Sequence, residues 1–574
     1  MDGNDHIAYF TMEIGLAAAM PTYAGGLGIL AGDTVHSAAD LGIHMVAVTL
    51  LHRKGYFRQH LDASGWQSEE DADWPVAELL REMEPRCTVE IEGREVQVRA
   101  WQYEVRGTSG YVVPVYFLDT DIEQNAQQDR AITDHLYGGD QRYRLCQELV
   151  LGIGGIRMLR ALGYGDIARY HMNEGHAALL ILELAYELAR QAWDLSYEPV
   201  QHKVRAEMQQ LVRAKCIFTT HTSVPAGHDK LPLALLHQVI TGYHGAFSEL
   251  EPVFCPDGEL NMTYLALENS HYINGVAKSH GKVTQQLFSK YDIHSITNGV
   301  HLATWAAPPM QKLFDERIPG WREDNASLRY ALNIPKRDVW LAHRETKQAL
   351  VEKVNGLTGA GFELDVFTIG FARRAAEYKR ADLLFHDLDR LIDIAHHGAP
   401  FQLVYAGKAH PQDTAGKQII RHIHEIKERL NGRIRLVYLE NYDIDLARLL
   451  TAGVDLWLNT PQPPLEASGT SGMKAAINGV PSFSILDGWW EEGCIEGVTG
   501  WAIGRERSAS LAGGDSRAED AQALYNKLEM IILPMYSNER DRYMEVMRHA
   551  IALNGSFFNT ERMLTQYITK AYFK

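Results

Sequence analysis

Short apolar runs bounded by turn residues set the rhythm of this chain. Residues 6–11, 44–50 and 167–172 are such runs, and each predicts a buried strand. Between the first two lies the turn Tyr23-Ala24-Gly25-Gly26-Leu27-Gly28, followed by a helical pattern over residues 29–41. Alternation on both sides of Glu92-Gly93 predicts a hairpin over residues 87–99, with a further strand at 111–118. A long amphipathic helix is predicted at 177–192, and two more strands at 216–221 and 291–296.

The second half alternates more regularly. Strands are predicted at 366–371, 401–406, 434–439, 454–458 and 482–485, and helices at 381–396, 414–430, 444–450 and 473–477. Strand–helix alternation of this kind marks a parallel, doubly wound α/β sheet. The Pro308-Pro309 segment and the polar run to Arg337 suggest a change of domain, with the boundary near Asn298. Residues 505–519 read as an exposed loop. The last helix, from Asn559 onward, carries Met563, Leu564, Tyr567, Ile568 and Ala571 on one face and needs a surface to pack on.

Length and composition narrow the class. A chain of 574 residues exceeds what one core supports and suggests two large domains or three; 46% hydrophobic and 22% charged residues are ordinary for a globular protein. The formal charge of −17 disfavours nucleic acid and anionic membrane as partners, so any basic cluster must be local. The five cysteines are scattered and never form a C-x-x-C pair, which argues against a disulfide framework or a thiolate zinc site. With an acidic N-terminus and no apolar run of spanning length, a cytoplasmic protein is expected.

Five stretches carry candidate chemistry. In Glu466-Ala467-Ser468-Gly469-Thr470-Ser471-Gly472-Met473-Lys474, a small-residue turn leads from a buried strand into a helix, and Lys474 sits against the positive end of that helix dipole. Either it is an ordinary surface lysine or a negative group is shared between it and the backbone. The spacing Gly26-x-Gly28-x-x-x-Gly32 fits a dinucleotide fingerprint only loosely; it is read as a close approach of backbone to ligand, or as a tight turn with none. Asn173, Glu174 and His176, and His221 with the loop 224–229 after it, stand at strand ends, where α/β folds place functional groups. A metal pairing of His171 with His176 has poor spacing, and no metal site is expected. Finally, Arg373-Arg374-Ala375-Ala376-Glu377-Tyr378-Lys379-Arg380 puts four cations within eight residues after a buried strand, enough to hold two neighbouring phosphate groups.

At these residues the chain resembles the α-glucan phosphorylases, the pyridoxal phosphate enzymes that act on glycogen, starch and maltodextrin. The block ending in Lys474 is similar to the family's cofactor-lysine motif, and the block from Arg373 to Arg380 to its phosphate-binding motif. Gly25-Gly26-Leu27-Gly28, Thr297-Asn298-Gly299 with Trp305, Gly407-Lys408-Ala409 and Leu439-Glu440-Asn441-Tyr442 match further blocks in order along nearly the whole chain.

The resemblance implies a GT-B fold, in which two Rossmann-like, doubly wound domains face each other across a catalytic cleft. The expected divisions are 1–298 and 299–550, with 551–574 returning toward the first domain. It implies retaining phosphorolysis of an α-1,4-glucan or maltodextrin by inorganic phosphate to give α-glucose 1-phosphate. Lys474 would carry pyridoxal 5′-phosphate, aided by Arg373, Lys379, Gly25, Gly26, Trp305, Tyr442, Thr470 and Ser471. Arg374 and Lys379 would hold the substrate phosphate. Leu27, His221, Asn298, Tyr378, Glu466, Ser468 and Gly469 would bind the glucosyl unit, the His221 carbonyl facing the cationic sugar. Phosphate takes the acid/base part, so no glycosidase carboxylate pair is needed.

Some positions depart from the long enzymes. Ala375-Ala376 replaces a bulkier pair, Ser471-Gly472 replaces Gly-Asn, Asp443 stands where an arginine is usual, and Asn173-Glu174-Gly175-His176 replaces Asn-Asp-Thr-His. These bear on glucan length and phosphate affinity more than on the reaction; the compactness of the chain resembles the short prokaryotic branch. The chain starts close to its first strand, so control through an N-terminal extension is not expected. Whether it is a monomer or a homo-oligomer stays open. The rival readings are a nucleotide-sugar glycosyltransferase of the glycogen-synthase kind and a non-catalytic glucan-binding homologue.

Overall fold

The computed structural model describes residues 6–193, 201–223, 230–241, 255, 258–504 and 516–573. The chain is a mixed α/β protein built on two large sheets. The nine-stranded sheet runs His294–Ser295, Tyr272–Gly275, Cys216–Thr219, Ile167–Asn173, His6–Thr11, Met45–Leu50, Val112–Asp119, Arg94–Arg106, Arg81–Ile91. Its pairings are parallel up to Val112–Asp119; the long hairpin of the last two strands closes an antiparallel edge. The six-stranded sheet runs Arg435–Leu439, Phe401–Ala406, Phe367–Ala372, Leu456–Asn459, Ser482–Ile485, Gly500–Ile503, all parallel. Strand order reverses between Phe367–Ala372 and Leu456–Asn459, the kind of point at which open α/β sheets bind ligands outside the carboxyl ends of their strands.

Several elements differ from the sequence pattern for identifiable reasons. The strand expected over 291–296 pairs only at His294–Ser295, because the Gln285 side chain takes the Tyr291 carbonyl (2.8 Å) and the Ile293 N–H (3.0 Å) that a ladder would use. The helix expected over 381–396 is Leu388–His397, since Arg380 is left-handed (φ 46°) and the Asp387 side chain caps the start by accepting from the Arg390 N–H. The helix expected over 177–192 begins at Leu180. Of the loop expected at 505–519, residues 505–515 lie outside the described residues and Arg517 opens the helix Arg517–Lys527; residues 224–229 also lie outside them.

The pattern missed the helix Lys336–Thr358 because its buried face includes His343, Thr346 and Lys347, which break the apolar period. Lys347 and His343 are buried against Asp455, at 2.5 and 3.0 Å, so a charged cluster takes the place of apolar packing. The short strands Tyr272–Gly275 and Gly500–Ile503 were also missed.

The glycine spacing after the first strand is resolved as packing. Gly28 and Gly32 lie one helical turn apart on Gly26–Asp40 and press on residues 13–15: a Cβ would lie 2.7 Å from Glu13 Oε2 at Gly28 and 1.9 Å from the Gly15 carbonyl oxygen at Gly32. Gly32→Ala should therefore lower the urea midpoint by the equivalent of about 1–3 kcal/mol, despite its better helix propensity. Gly356→Ala, in Lys336–Thr358 with nothing within 4 Å of the new Cβ, should be neutral or stabilising.

The last helix, Thr560–Tyr567, packs on Gly26–Asp40. Met563, Leu564, Tyr567, Ala571 and Tyr572 join Ile7, Tyr9 and Leu30 in one apolar cluster beside the nine-stranded sheet. The Tyr572 hydroxyl also meets His171 Nδ1 at 2.8 Å, so the end of the chain is anchored by hydrogen bonds as well as by burial. No helix among the described residues is long and apolar enough to cross a membrane.

Candidate active site

Lys474 belongs to the first turn of the short helix Ser471–Ile477, its N–H donating to the Thr470 carbonyl at 3.2 Å. It is not a surface lysine: its side chain is buried, with Nζ 3.7 Å from the centroid of the Trp305 ring. The Trp305 indole N–H donates in turn to both oxygens of buried Asp33, at 2.9 and 2.8 Å. Burial lowers the Lys474 pKa to about 8, with Arg373 and Arg448 pushing the same way and Asp33 opposing them. The Ser471 hydroxyl accepts from the Trp457 indole at 3.0 Å, and Thr470 precedes the helix without a side-chain cap.

The strand Phe367–Ala372 delivers Arg373 to the same place. Its guanidinium donates to Asn459 Oδ1 (2.6 Å) and to Glu466 Oε2 (2.9 Å). Lys379, in a single 3-10 turn, is buried with its ammonium on the same Glu466 oxygen and 4.5 Å from the Tyr378 ring centroid. Burial alone would raise the Glu466 pKa, but Arg373 and Lys379 push it down to about 2. Arg374 is exposed, makes no ion pair among the described residues, and interacts electrostatically with Tyr378, Tyr56 and Glu13. The Glu466 carboxylate is thus shared by two cations, Arg373 and Lys379.

The Glu466 turn is clamped from behind. Asp487 accepts the Glu466 N–H and the Gly488 N–H, both at 2.9 Å, and burial followed by the field of Glu466 pushes its carboxyl up to about 8. The Ser468 carbonyl accepts the Trp489 N–H at 2.9 Å; Gly488, at φ 58°, sits so close that a Cβ would lie 2.3 Å from it. Gly469 takes φ 70°, and a Cβ there would stand 3.6 Å from Glu466 Oε1 and 3.7 Å from Arg373 Nη2.

Because the folded Glu466 pKa lies below its ordinary 4.5, the carboxylate contributes stability above about pH 4.5, and this is lost as pH falls toward 2. Glu466→Gln should flatten that part of the stability–pH curve by on the order of 3 kcal/mol, read from urea midpoints across the range.

Other expected residues form neighbouring groups. The Gly25 N–H is taken by buried Glu13 (3.2 Å), which also accepts from Ala24 N–H (2.5 Å) and the Tyr137 hydroxyl (3.1 Å). Gly26 and Leu27 open the helix Gly26–Asp40, which has no side-chain cap and no acidic residue in its first turn. Tyr442 is half-buried and coupled to Arg373. His221 Nε2 meets Asn173 Oδ1 at 2.7 Å and its N–H donates to Glu174 Oε2 at 2.7 Å; burial and the neighbouring histidines lower its pKa to about 3, so the ring is neutral. Among the described residues, no hydrogen bond or ion pair joins His221 to the cation cluster. Asn298 is buried at 4% exposure, with Oδ1 unpartnered among the described residues.

Sequence reasoning did not find Glu13, Asp33, Asn459 or Asp487. Three of these follow or end buried strands, so the strand-end rule that drew attention to Asn173 extends to Glu13, Asn459 and Asp487. Asp33, inside a helix, gives no such signal.

A buried amine and a cluster of cations thus lie beyond the carboxyl ends of parallel strands in an α/β fold. Residues 247–493 match the family model described as carbohydrate phosphorylase. The maltodextrin phosphorylase of Thermococcus litoralis is 39% identical over 603 residues, covering 99% of this chain and 70% of that protein. The glycogen phosphorylase of Mycobacterium tuberculosis is 36% identical with the same coverages, and that of Aquifex aeolicus 33% identical, covering 99% of this chain and 86% of its own length. The chain belongs to the carbohydrate phosphorylase family.

Proposed function

We propose that the protein is an α-1,4-glucan phosphorylase that uses pyridoxal 5′-phosphate and releases α-glucose 1-phosphate from the end of a glucan. The observation that carries this reading is a buried Lys474 amine near two cations, Arg373 and Lys379, that share the Glu466 carboxylate, with Arg374 following Arg373 in the chain. The resident residues fit the cofactor. Lys474 would hold its carbonyl carbon. The uncapped start of Gly26–Asp40, where a Cβ at Gly25 or Gly26 would meet nothing within 4 Å, leaves room for its phosphate beside a positive helix end. Arg373, Lys379, Trp305, Tyr442, Thr470 and Ser471 would complete its surroundings. When bound, pyridoxal phosphate supplies a second phosphate group that shares a proton with the substrate phosphate.

Arg374 and Lys379 hold inorganic phosphate under the terminal glycosidic bond. A phosphate proton passes to the glycosidic oxygen as its bond to C1 breaks, and a phosphate oxygen bonds C1 on the same face. The shortened glucan leaves with the proton, and no water enters the balance. Glu466, Ser468, Gly469, Leu27, Tyr378 and Asn298 hold the sugar hydroxyls. Glu466 stays ionised between Arg373 and Lys379 and binds rather than transfers protons. The His221 carbonyl faces the positive charge that grows on the sugar ring.

In the same reading, residues 1–298 and 299–550 form two Rossmann-like domains of a GT-B enzyme, and 551–574 returns to the first. The two parallel sheets and the packing of Thr560–Tyr567 on Gly26–Asp40 support it. Five free cysteines, three of them buried, suit a reducing, cytoplasmic setting. Incubating the holoenzyme with maltodextrins of graded length and inorganic phosphate tests the function. Phosphate-dependent release of glucose 1-phosphate is expected, and glucan binding without that release would sink the assignment.

A further inference from the structure

The turn that carries Asn298 has little sheet to hold it. The adjoining strand pairs only at His294 and Ser295, and beyond it the ladder side offers two N–H bonds, Ile296 to the Gly275 carbonyl (3.1 Å) and Asn298 to the Val276 carbonyl (3.0 Å). The turn is gripped instead by distant parts of the chain. Arg562, from the last helix, donates through Nη1 to the Thr297 carbonyl at 2.6 Å and through Nη2 to the Asn298 carbonyl at 2.9 Å. Its Nε donates to the Phe557 carbonyl at 2.9 Å, and Nη1 also reaches Gln566 Oε1 at 3.3 Å. The Thr297 hydroxyl donates to both oxygens of Glu492 at 3.0 Å, and Glu492 also accepts the Lys278 N–H at 2.9 Å. Gly299 is pressed against Asn559, where a Cβ would lie 2.2 Å from backbone atoms.

Such a grip is costly. Burial pushes the Arg562 pKa down to about 10, opposed by the fields of Glu492 and Tyr567, and among the described residues no carboxylate pairs with it directly. A guanidinium spent on backbone carbonyls in a buried setting contributes little net stability, because desolvation offsets the bonds it makes. It does supply two parallel donors in a rigid fork, which fixes the direction of two successive peptide planes. The side chain between those planes is Asn298, whose buried Oδ1 has no hydrogen-bond partner among the described residues.

We propose that Arg562, together with Glu492, is a positioning residue: it locks the Thr297–Asn298 peptide planes so that Asn298 Oδ1 is presented as an acceptor to a glucosyl hydroxyl. This rests on the phosphorylase reading with Asn298 in the glucosyl pocket. A double-mutant cycle on the pyridoxal phosphate-loaded enzyme tests it, using Arg562→Gln, Asn298→Ala and their combination. The readout is kcat/KM for glucose 1-phosphate in chain extension with saturating maltoheptaose. Arg562→Gln alone should lower kcat/KM by about 10- to 100-fold, mostly through KM, yet less than twofold further in the Asn298→Ala background. The urea midpoint should fall equally in both backgrounds. Arg562→Lys should recover part of the loss. If Arg562→Gln does not fold, Arg562→Lys and Glu492→Gln carry the same cycle. Independent, multiplying losses would overturn the inference and leave the reading of the site standing. A wild-type kcat/KM in Asn298→Ala would overturn both.

Discussion

Lys474→Ala is expected to abolish covalent attachment of pyridoxal phosphate and nearly all phosphorolysis while the chain still folds. The amine is buried and makes no ion pair among the described residues, so its loss removes packing on Trp305 and the field that favours the ionised form of buried Asp33, whose carboxyl should then shift further up. Borohydride reduction followed by peptide mapping should place the pyridoxyl group on Lys474 in the wild type and nowhere in the variant, and both proteins should unfold cooperatively in urea. Full activity in the variant would refute the assignment. The lowered pKa adds a second readout on the wild-type apoenzyme. With the amine near 8, cofactor uptake should rise with pH and level off above about 8, well below the ordinary lysine value of 10.5.

Arg374→Ala should cost about 10²- to 10³-fold in kcat/KM for inorganic phosphate, the usual scale for removing one preorganised charge-stabilising donor. Stability should fall little, since the side chain makes no ion pair among the described residues and loses one hydrogen bond, to Tyr378. Lys379→Ala offers the contrast. It removes a buried partner of Glu466 and should lower both activity and the urea midpoint. Rate loss in Arg374→Ala accompanied by an equal loss of stability would mean that the residue serves the fold rather than the substrate.

Much of the fold was legible because parallel strands covered on both faces are continuous apolar runs. Phe401–Ala406, Ser482–Ile485 and His6–Thr11 appear with the limits their patterns set, and Thr414–Leu430 with its helical period. Lys336–Thr358 was illegible for the opposite reason: Lys347 and His343 lie inside it, and nothing local announces that Asp455, over a hundred residues later, makes their burial tolerable. The candidate site divides in the same way. Arg373, Lys379, Glu466 and Lys474 sit in short blocks at strand ends and could be singled out. Asp33 and Arg562 lie inside helices, where an acidic or basic residue ordinarily means a solvated face.

By itself the sequence determined the α/β alternation, the cation-rich blocks and the lysine at a helix start, because each depends on neighbours within a few residues. Tertiary structure decided what those blocks mean to one another. It set Lys474 over the Trp305 ring instead of in solvent, and gave one Glu466 oxygen to both Arg373 and Lys379. It turned Gly28 and Gly32 into a packing face. It also brought Arg562 back across the chain to the carbonyls of Thr297 and Asn298. Charge burial and close backbone approach are settled by groups well separated along the chain, and no local pattern encodes them.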